Sequence, residues 1–372
     1  MKIRSFELER LFAKHEFSAK FLLSSSDCDG FSMDYVLQQA SSTEKNYWDS
    51  LSLGYTESAG HPALHKAILS YYPGLKSKNI VVASPGELNF ILMNVLLEKT
   101  DHVISIAPSY QSLHEVVQSI GCALSFWEPN PANWKFEIET LKDLIKDNTK
   151  LIIVNFPHNP TGSYWTSEEQ AALIEIARQK GIYIFSDEMY HKLLADNTPE
   201  LAPLACVYEK GISLWGTSKT FGLAGLRIGW MLSQDSQLIQ DIIAFKDYLS
   251  ICSNAPSEIL SIIALNHLDA FLVPNIQKIR RNIDLFSKFV EQHQDSLSFI
   301  VPKAGSTAFV HLKKASSSLA FTELLIEQAS IMTVPAEMFH YDGSYIRIGF
   351  GRENFAASLH EFAVFLADNK TV

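Results

Sequence analysis

Between about residue 60 and residue 235 the chain alternates short, uninterrupted apolar runs with longer stretches whose apolar residues recur every three or four positions. Uninterrupted runs are the mark of strands buried on both faces, because a parallel strand covered by helices has no polar side. The three-to-four spacing is that of a helix with one buried stripe. Residues 80–82, 103–106, 151–154, 183–185 and 212–214 are of the first kind. Residues 61–72, with Pro62 in the first turn, a segment from Gly86 through Glu98 and another from about Tyr110 are of the second. Their alternation predicts an α/β fold, a large domain whose mainly parallel sheet is flanked by helices. From about 235 to 295 the pattern turns helical. Beyond it, strand-type runs at 298–301, 307–312 and 345–349 mix with helices, as in a smaller α+β domain. The changes in pattern place an N-terminal arm, partly of the small domain, at 1–50, a large domain at 51–270 and a C-terminal small domain at 271–372.

Composition narrows what such a fold could bind. With 372 residues, 47% of them hydrophobic and 19% charged, the chain can bury a sizeable core. A formal net charge of -10 argues against nucleic acid and anionic membrane surfaces as partners, since both favour basic proteins. No apolar stretch reaches membrane-span length, and residues 1–17 mix charges with apolar positions and hold no signal-peptide core. Cys28, Cys122, Cys206 and Cys252 are far apart and form no CxxC pair, so reduced thiols and a cytoplasmic location are expected.

In open α/β sheets ligands sit beyond the carboxyl ends of the strands, so the polar residues that follow each run matter most. After 80–82 comes Ser84-Pro85-Gly86-Glu87-Leu88, opening a helix whose free N–H groups could seat an anion. The run at 151–154 leads into Asn155-Phe156-Pro157-His158-Asn159-Pro160-Thr161-Gly162, a turn-rich loop in which Pro160 restricts Asn159. After 183–185 comes Ser186-Asp187-Glu188-Met189-Tyr190, and a carboxylate at the end of a buried strand needs a cationic partner. The last run passes through Gly216-Thr217-Ser218 to Lys219, then Gly222, Gly225, Arg227 and Gly229. A lysine becomes a usable nucleophile where weak solvation or a nearby cation favours its neutral form, and the neighbours of Lys219 are neutral and glycine-rich. Arg347 stands inside an otherwise apolar strand pattern, where a cation without an anion is expensive.

Taken in order, these pieces resemble the class I/II aminotransferases, fold-type I enzymes dependent on pyridoxal phosphate (PLP). The resemblance runs from about Tyr55 to Arg347. It rests on the helix opened at Gly86, the Asn-Pro-Thr-Gly loop, Asp187-x-x-Tyr190, and Ser218-Lys219 with Arg227 eight residues on. It implies that Lys219 forms the Schiff base with PLP and that Asp187 meets the ring nitrogen, these two and Tyr190 carrying the catalysis. Asn159 and Tyr190 would hydrogen-bond the ring's 3-oxygen, and Tyr110 would stack on the ring. Gly86, Glu87, Leu88 and Arg227 would hold the phosphate. Arg347, with Asn159 beside it, would bind the α-carboxylate of an amino acid. Tyr55 resembles a phosphate-binding tyrosine reaching in from a neighbouring subunit, which implies a homodimer with shared sites. The expected activity is exchange of an amino group between an L-amino acid and a 2-oxo acid, with another PLP reaction (elimination, decarboxylation or oxidation) as the alternative.

Three departures stand out. Gly216 occupies the place of a usual serine, so a phosphate hydroxyl is either missing or supplied by Thr217, Ser218 or Ser84. Glu87 replaces a small residue and has to point away from the phosphate. Residues 24–30 differ from the usual substrate loop. No metal site is expected: His114-Glu115-Val116-Val117-Gln118 begins like a zinc-binding HExxH helix but lacks the second histidine, and His61 and His65 find no third ligand. A non-catalytic regulatory relative is the rival of another class, but Lys219 and Asp187 are both present and no basic DNA-binding segment is.

Overall fold

The computed structural model describes residues 2–341 and 343–369. Its strands, in chain order, are β1 (Phe21–Leu22), β2 (Ile80–Ala83), β3 (His102–Ile106), β4 (Ala123–Trp127), β5 (Thr149–Asn155), β6 (Tyr183–Asp187), β7 (Gly211–Gly216), β8 (Gly229–Ser233), β9 (Leu297–Phe299), β10 (Thr307–Leu312), β11 (Ile331–Met332), β12 (Val334–Pro335) and β13 (Tyr345–Gly349). The central sheet has seven strands in the order β2-β8-β7-β6-β5-β3-β4. Pairings from β7 through β4 are all parallel, whereas β8 runs antiparallel to both β7 and β2. Helices such as Pro85–Leu96, Ser112–Ile120 and Ser167–Lys180 cover the sheet. The α/β architecture thus follows the hydrophobic pattern.

Two strands of this central sheet are not predicted by that pattern. The edge strand β4 is partly exposed over most of its length, so it lacks the continuous apolar signature. The other, β8, is wholly buried but directly follows the glycine-rich segment, and its reversed direction depends on partners 13 and more residues away. The helix expected over 61–72 is shorter, Pro62–Leu69, with the His61 imidazole accepting from the Ala63 N–H at 3.1 Å as its cap.

A second sheet, β12-β13-β10-β9, is antiparallel, and β1 pairs in parallel with β11. That last pairing ties the N-terminal segment to the C-terminal part of the chain. Two consequences matter for the site. The carboxyl ends of β5, β6 and β7 share one edge, with Asn155 opposite Asp187 in register. Close approach at Gly229 brings β8 against β7 and the helix start: a Cβ there would lie 2.6 Å from the Trp215 carbonyl oxygen and 2.7 Å from Pro85. Among the described residues no single helix is long and apolar enough to cross a membrane. All four cysteines are free thiols.

Candidate active site

A cavity of about 410 Å³ opens at that sheet edge. Its wall includes Gly86, Tyr110, Asn159, Asp187, Tyr190, Ser218, Lys219, Arg227 and Arg347, residues spread over more than 260 positions of sequence. Lys219 leaves the carboxyl end of β7, and its Nζ donates to Ser26 Oγ at 2.9 Å. Asp187 ends β6 and is half-buried; burial raises its carboxyl to about 6, opposed by the Met189 N–H and the charge of Lys219. The Met189 N–H bond is 3.1 Å long, and no cation stands within ion-pair distance of Asp187 among the described residues. A half-buried carboxylate so poorly matched calls for a cationic ligand group.

Arg347, in the middle of β13, is 2% exposed. Its NH1 donates to Asn159 Oδ1 at 3.1 Å and its NH2 to the Ser24 carbonyl at 2.6 Å, while Nε has no partner. No carboxylate pairs with it among the described residues, and burial pushes its pKa down. A desolvated guanidinium with an unused donor is a seat for an anion. Asn159 is itself held: its N–H donates to Asn155 Oδ1 at 2.9 Å, and Asn155 Nδ2 donates to the Asp187 carbonyl at 2.7 Å. With its amide oxygen engaged by Arg347, Asn159 keeps its amide nitrogen for a ligand. The Asn159–Pro160 peptide is cis.

At the other end of the cavity, the helix Pro85–Leu96 begins with Ser84 as N-cap and Pro85 in its first turn. The N–H groups of Gly86 and Glu87 have no acceptor among the described residues, since they precede the first intrahelical bond. Leu88 differs from expectation: its N–H is given to the Ser84 carbonyl at 3.0 Å and its side chain lies in the core. The Glu87 side chain points away, accepting from Ser250 Oγ at 2.6 Å. Arg227, held in a left-handed conformation (φ 51°), donates to Ser84 Oγ at 3.4 Å. Gly216 has a packing reason: a Cβ there would stand 3.0 Å from both Gly229 Cα and the Ile228 carbonyl oxygen. Of the candidate substitutes for a serine hydroxyl, Thr217 is spent on the Leu223 and Ile228 carbonyls, whereas Ser218 lines the cavity.

Tyr55 is not brought to this cavity. It is 86% exposed, and its ring has no place in the site of its own chain. Conversely, the fold contributes residues that no motif indicated. Asn155 opens the turn-rich loop in the sequence, and a polar residue closing an apolar strand is the signal that marks it. Glu9 and Glu16 come from the helix Glu7–His15 and its C-cap, and nothing in the local sequence says what that helix faces. Tyr110 donates its hydroxyl to Glu9 Oε1 at 2.6 Å, which fixes the ring on the wall. Away from the cavity, the fold supplies the third member missing from the His114-Glu115 sequence, for His340 lies across from His114 with ring centroids 4.4 Å apart. The Arg4 guanidinium, 3.9 Å from the Glu115 carboxylate, already provides a cation there.

Comparison with known proteins agrees with this geometry. The model of the family "Aminotransferase class I and II" matches residues 18–358. A PLP-dependent aminotransferase from Streptococcus suis superposes with a TM-score of 0.92 at 28% identity, covering 99% of either chain. Aspartate aminotransferase from Pyrococcus horikoshii is 27% identical over 80% of this chain and 78% of its own. Capreomycidine synthase from Streptomyces vinaceus is 27% identical over 67% of this chain and 64% of that protein. With a matched span that takes in the whole central sheet and most of the cavity wall, the chain belongs to the class I and II aminotransferases, enzymes that work with pyridoxal phosphate.

Proposed function

We propose that this protein exchanges an amino group between an L-amino acid and a 2-oxo acid in two stages, with PLP held in the cavity between β6, β7 and the helix Pro85–Leu96. The observation that carries the reading is the convergence of Lys219, the unpaired, half-buried carboxylate of Asp187 and the buried guanidinium of Arg347, which has no carboxylate partner, on one cavity. The donor set fits the cofactor: an amine for the aldehyde, a carboxylate for the ring nitrogen, and free N–H groups with Arg227 and Ser218 for the phosphate.

When bound, PLP supplies an aldehyde that captures amines and a protonated ring that accepts electron density. Lys219 Nζ would hold the cofactor through its aldehyde, and as a free amine would serve as the base that takes the proton from the substrate's α-carbon. Asp187 keeps the proton on the ring nitrogen, the pairing its burial lacks in the chain alone. Asn159 and Tyr190 hold the 3-oxygen, and Tyr110 covers the ring. Arg347 grips the substrate's α-carboxylate, with Asn159 holding the guanidinium in place. Gly86, Glu87 through its N–H, Arg227 and Ser218 hold the phosphate; Leu88 supports them from the core.

The exposure of Tyr55 supports a homodimer in which this side chain serves the second copy's phosphate site. Four free thiols support a reducing, cytoplasmic setting. Residues 1–50 with 271–372 as a small domain against 51–270 is the division that the β1–β11 pairing supports. A second reading, another PLP reaction starting from the same loss of the α-proton, draws on the similarity to a synthase. Mass spectrometry of the cofactor after one amino acid turnover separates the two. Conversion to the amine form, reversed by a 2-oxo acid, is expected; return of the aldehyde with an altered amino acid would favour the second reading.

A further inference from the structure

The charges on the cavity wall do not balance once the cofactor is placed, and the remainder points to the amino donor. Of the three cations that line it, Lys219 and Arg227 serve PLP and Arg347 serves the α-carboxylate. Asp187 answers the ring nitrogen, yet three more carboxylates remain, Glu9, Glu16 and Asp27. Asp27 is matched by Arg352, whose NH2 lies 3.5 Å away. Glu9 accepts the Tyr110 hydroxyl. Glu16 has neither an ion pair nor a side-chain hydrogen bond among the described residues, although it is half-buried.

We propose that the donor substrate is an amino acid whose side chain ends in a cation, an amine or a guanidinium, received by Glu16 with Glu9 beside it. The inference rests on the amino-transfer reading above and names the substrate class of that same site. Arg347 fixes one end of the ligand, since its unpaired, fully buried Nε needs an anion. The other end meets the helix Glu7–His15, which sets Leu8, Phe12 and, one turn on, Glu16 four positions apart along one face. Leu8 and Phe12 offer an apolar bed for the methylene stem of a long basic side chain while its head reaches the carboxylate. Burial, and the charge of Asp27 after it, push the Glu16 carboxyl above its ordinary range, a strain that an arriving cation relieves. A dicarboxylic donor meets the opposite situation, because among the described residues no fourth lysine or arginine lines the cavity to receive its distal group.

The test compares the PLP-loaded protein's first half-reaction with arginine, its neutral isostere citrulline, and glutamate. Arginine should exceed citrulline in kcat/KM by about ten- to a hundred-fold, the factor for a charge-assisted hydrogen bond. In Glu16→Gln that ratio should fall toward unity. Spectral titration with α-methylornithine, which has no α-proton to lose, against α-methylnorvaline should show the same preference in Kd and the same collapse in Glu16→Gln. Citrulline or glutamate reacting as well as arginine, or a ratio unmoved by Glu16→Gln, overturns the proposal while leaving amino transfer intact. If no amino acid converts the cofactor, the amino-transfer reading falls and takes the selectivity with it.

Discussion

Replacing Arg347 by leucine separates a substrate-binding arginine from a structural one, because the two roles predict opposite effects on stability. In the ligand-free chain the guanidinium is desolvated, has no carboxylate and leaves Nε unbonded. Its removal therefore ends a desolvation penalty of several kcal/mol, and this gain offsets what the change disrupts. The loss side is two hydrogen bonds, those to Asn159 Oδ1 and the Ser24 carbonyl, each worth about 1 kcal/mol, plus the exposure of those acceptors to an apolar neighbour. The two sides nearly cancel, so urea-unfolding stability should stay within about 2 kcal/mol of wild type. Binding should not cancel. A carboxylate that loses a charge-assisted, buried partner loses about 2–4 kcal/mol, which is roughly 30- to 1000-fold in kcat/KM for every amino acid donor. Stopped-flow absorbance of the half-reaction gives kcat and KM, and denaturant titration of the same preparation gives stability. An unchanged KM would mean that the α-carboxylate binds elsewhere. A steep loss of stability with KM preserved would make Arg347 a structural residue.

Lys219→Ala should remove both the visible absorbance of the PLP-loaded protein and its activity, and retention of either refutes the role of that amine. Arg227→Ala should weaken PLP binding by about ten-fold or more, read by equilibrium dialysis, with the far-ultraviolet circular dichroism unchanged. Gly349→Ala places a Cβ on the carbonyl group of Ser25, so the strand that carries Arg347 and the loop that holds it have to separate; a loss of about 3 kcal/mol in unfolding free energy is expected, and a neutral outcome would contradict the packing. Burial raises the Glu258 carboxyl from 4.5 to about 7, so the folded chain holds this proton more tightly than the unfolded one. The corresponding stability is full below about pH 4.5 and is lost as pH rises through about 7; Glu258→Gln should flatten the urea midpoint over that window and gain roughly 2 kcal/mol at pH 8.

The sequence by itself determined the layers and most of the chemistry. Buried parallel strands have to be apolar on both faces, so β3, β5, β6 and β7 could be read from local composition, and the residues after them could be inspected without coordinates. Asp187, Lys219 and Arg347 were legible because a charge in an apolar context is anomalous wherever it stands. Tertiary structure alone decided whatever depends on partners distant in sequence. The direction of β8 follows from pairing with β2 and β7, and the need for glycine at 216 follows from the approach of Gly229. Most of all, Glu9 and Glu16 belong to a helix whose amphipathic pattern fixes which side is buried but not against what. That a carboxylate from the first turns of the chain shares a cavity with Arg347 from the last strand is a consequence of long-range packing, which no local pattern encodes.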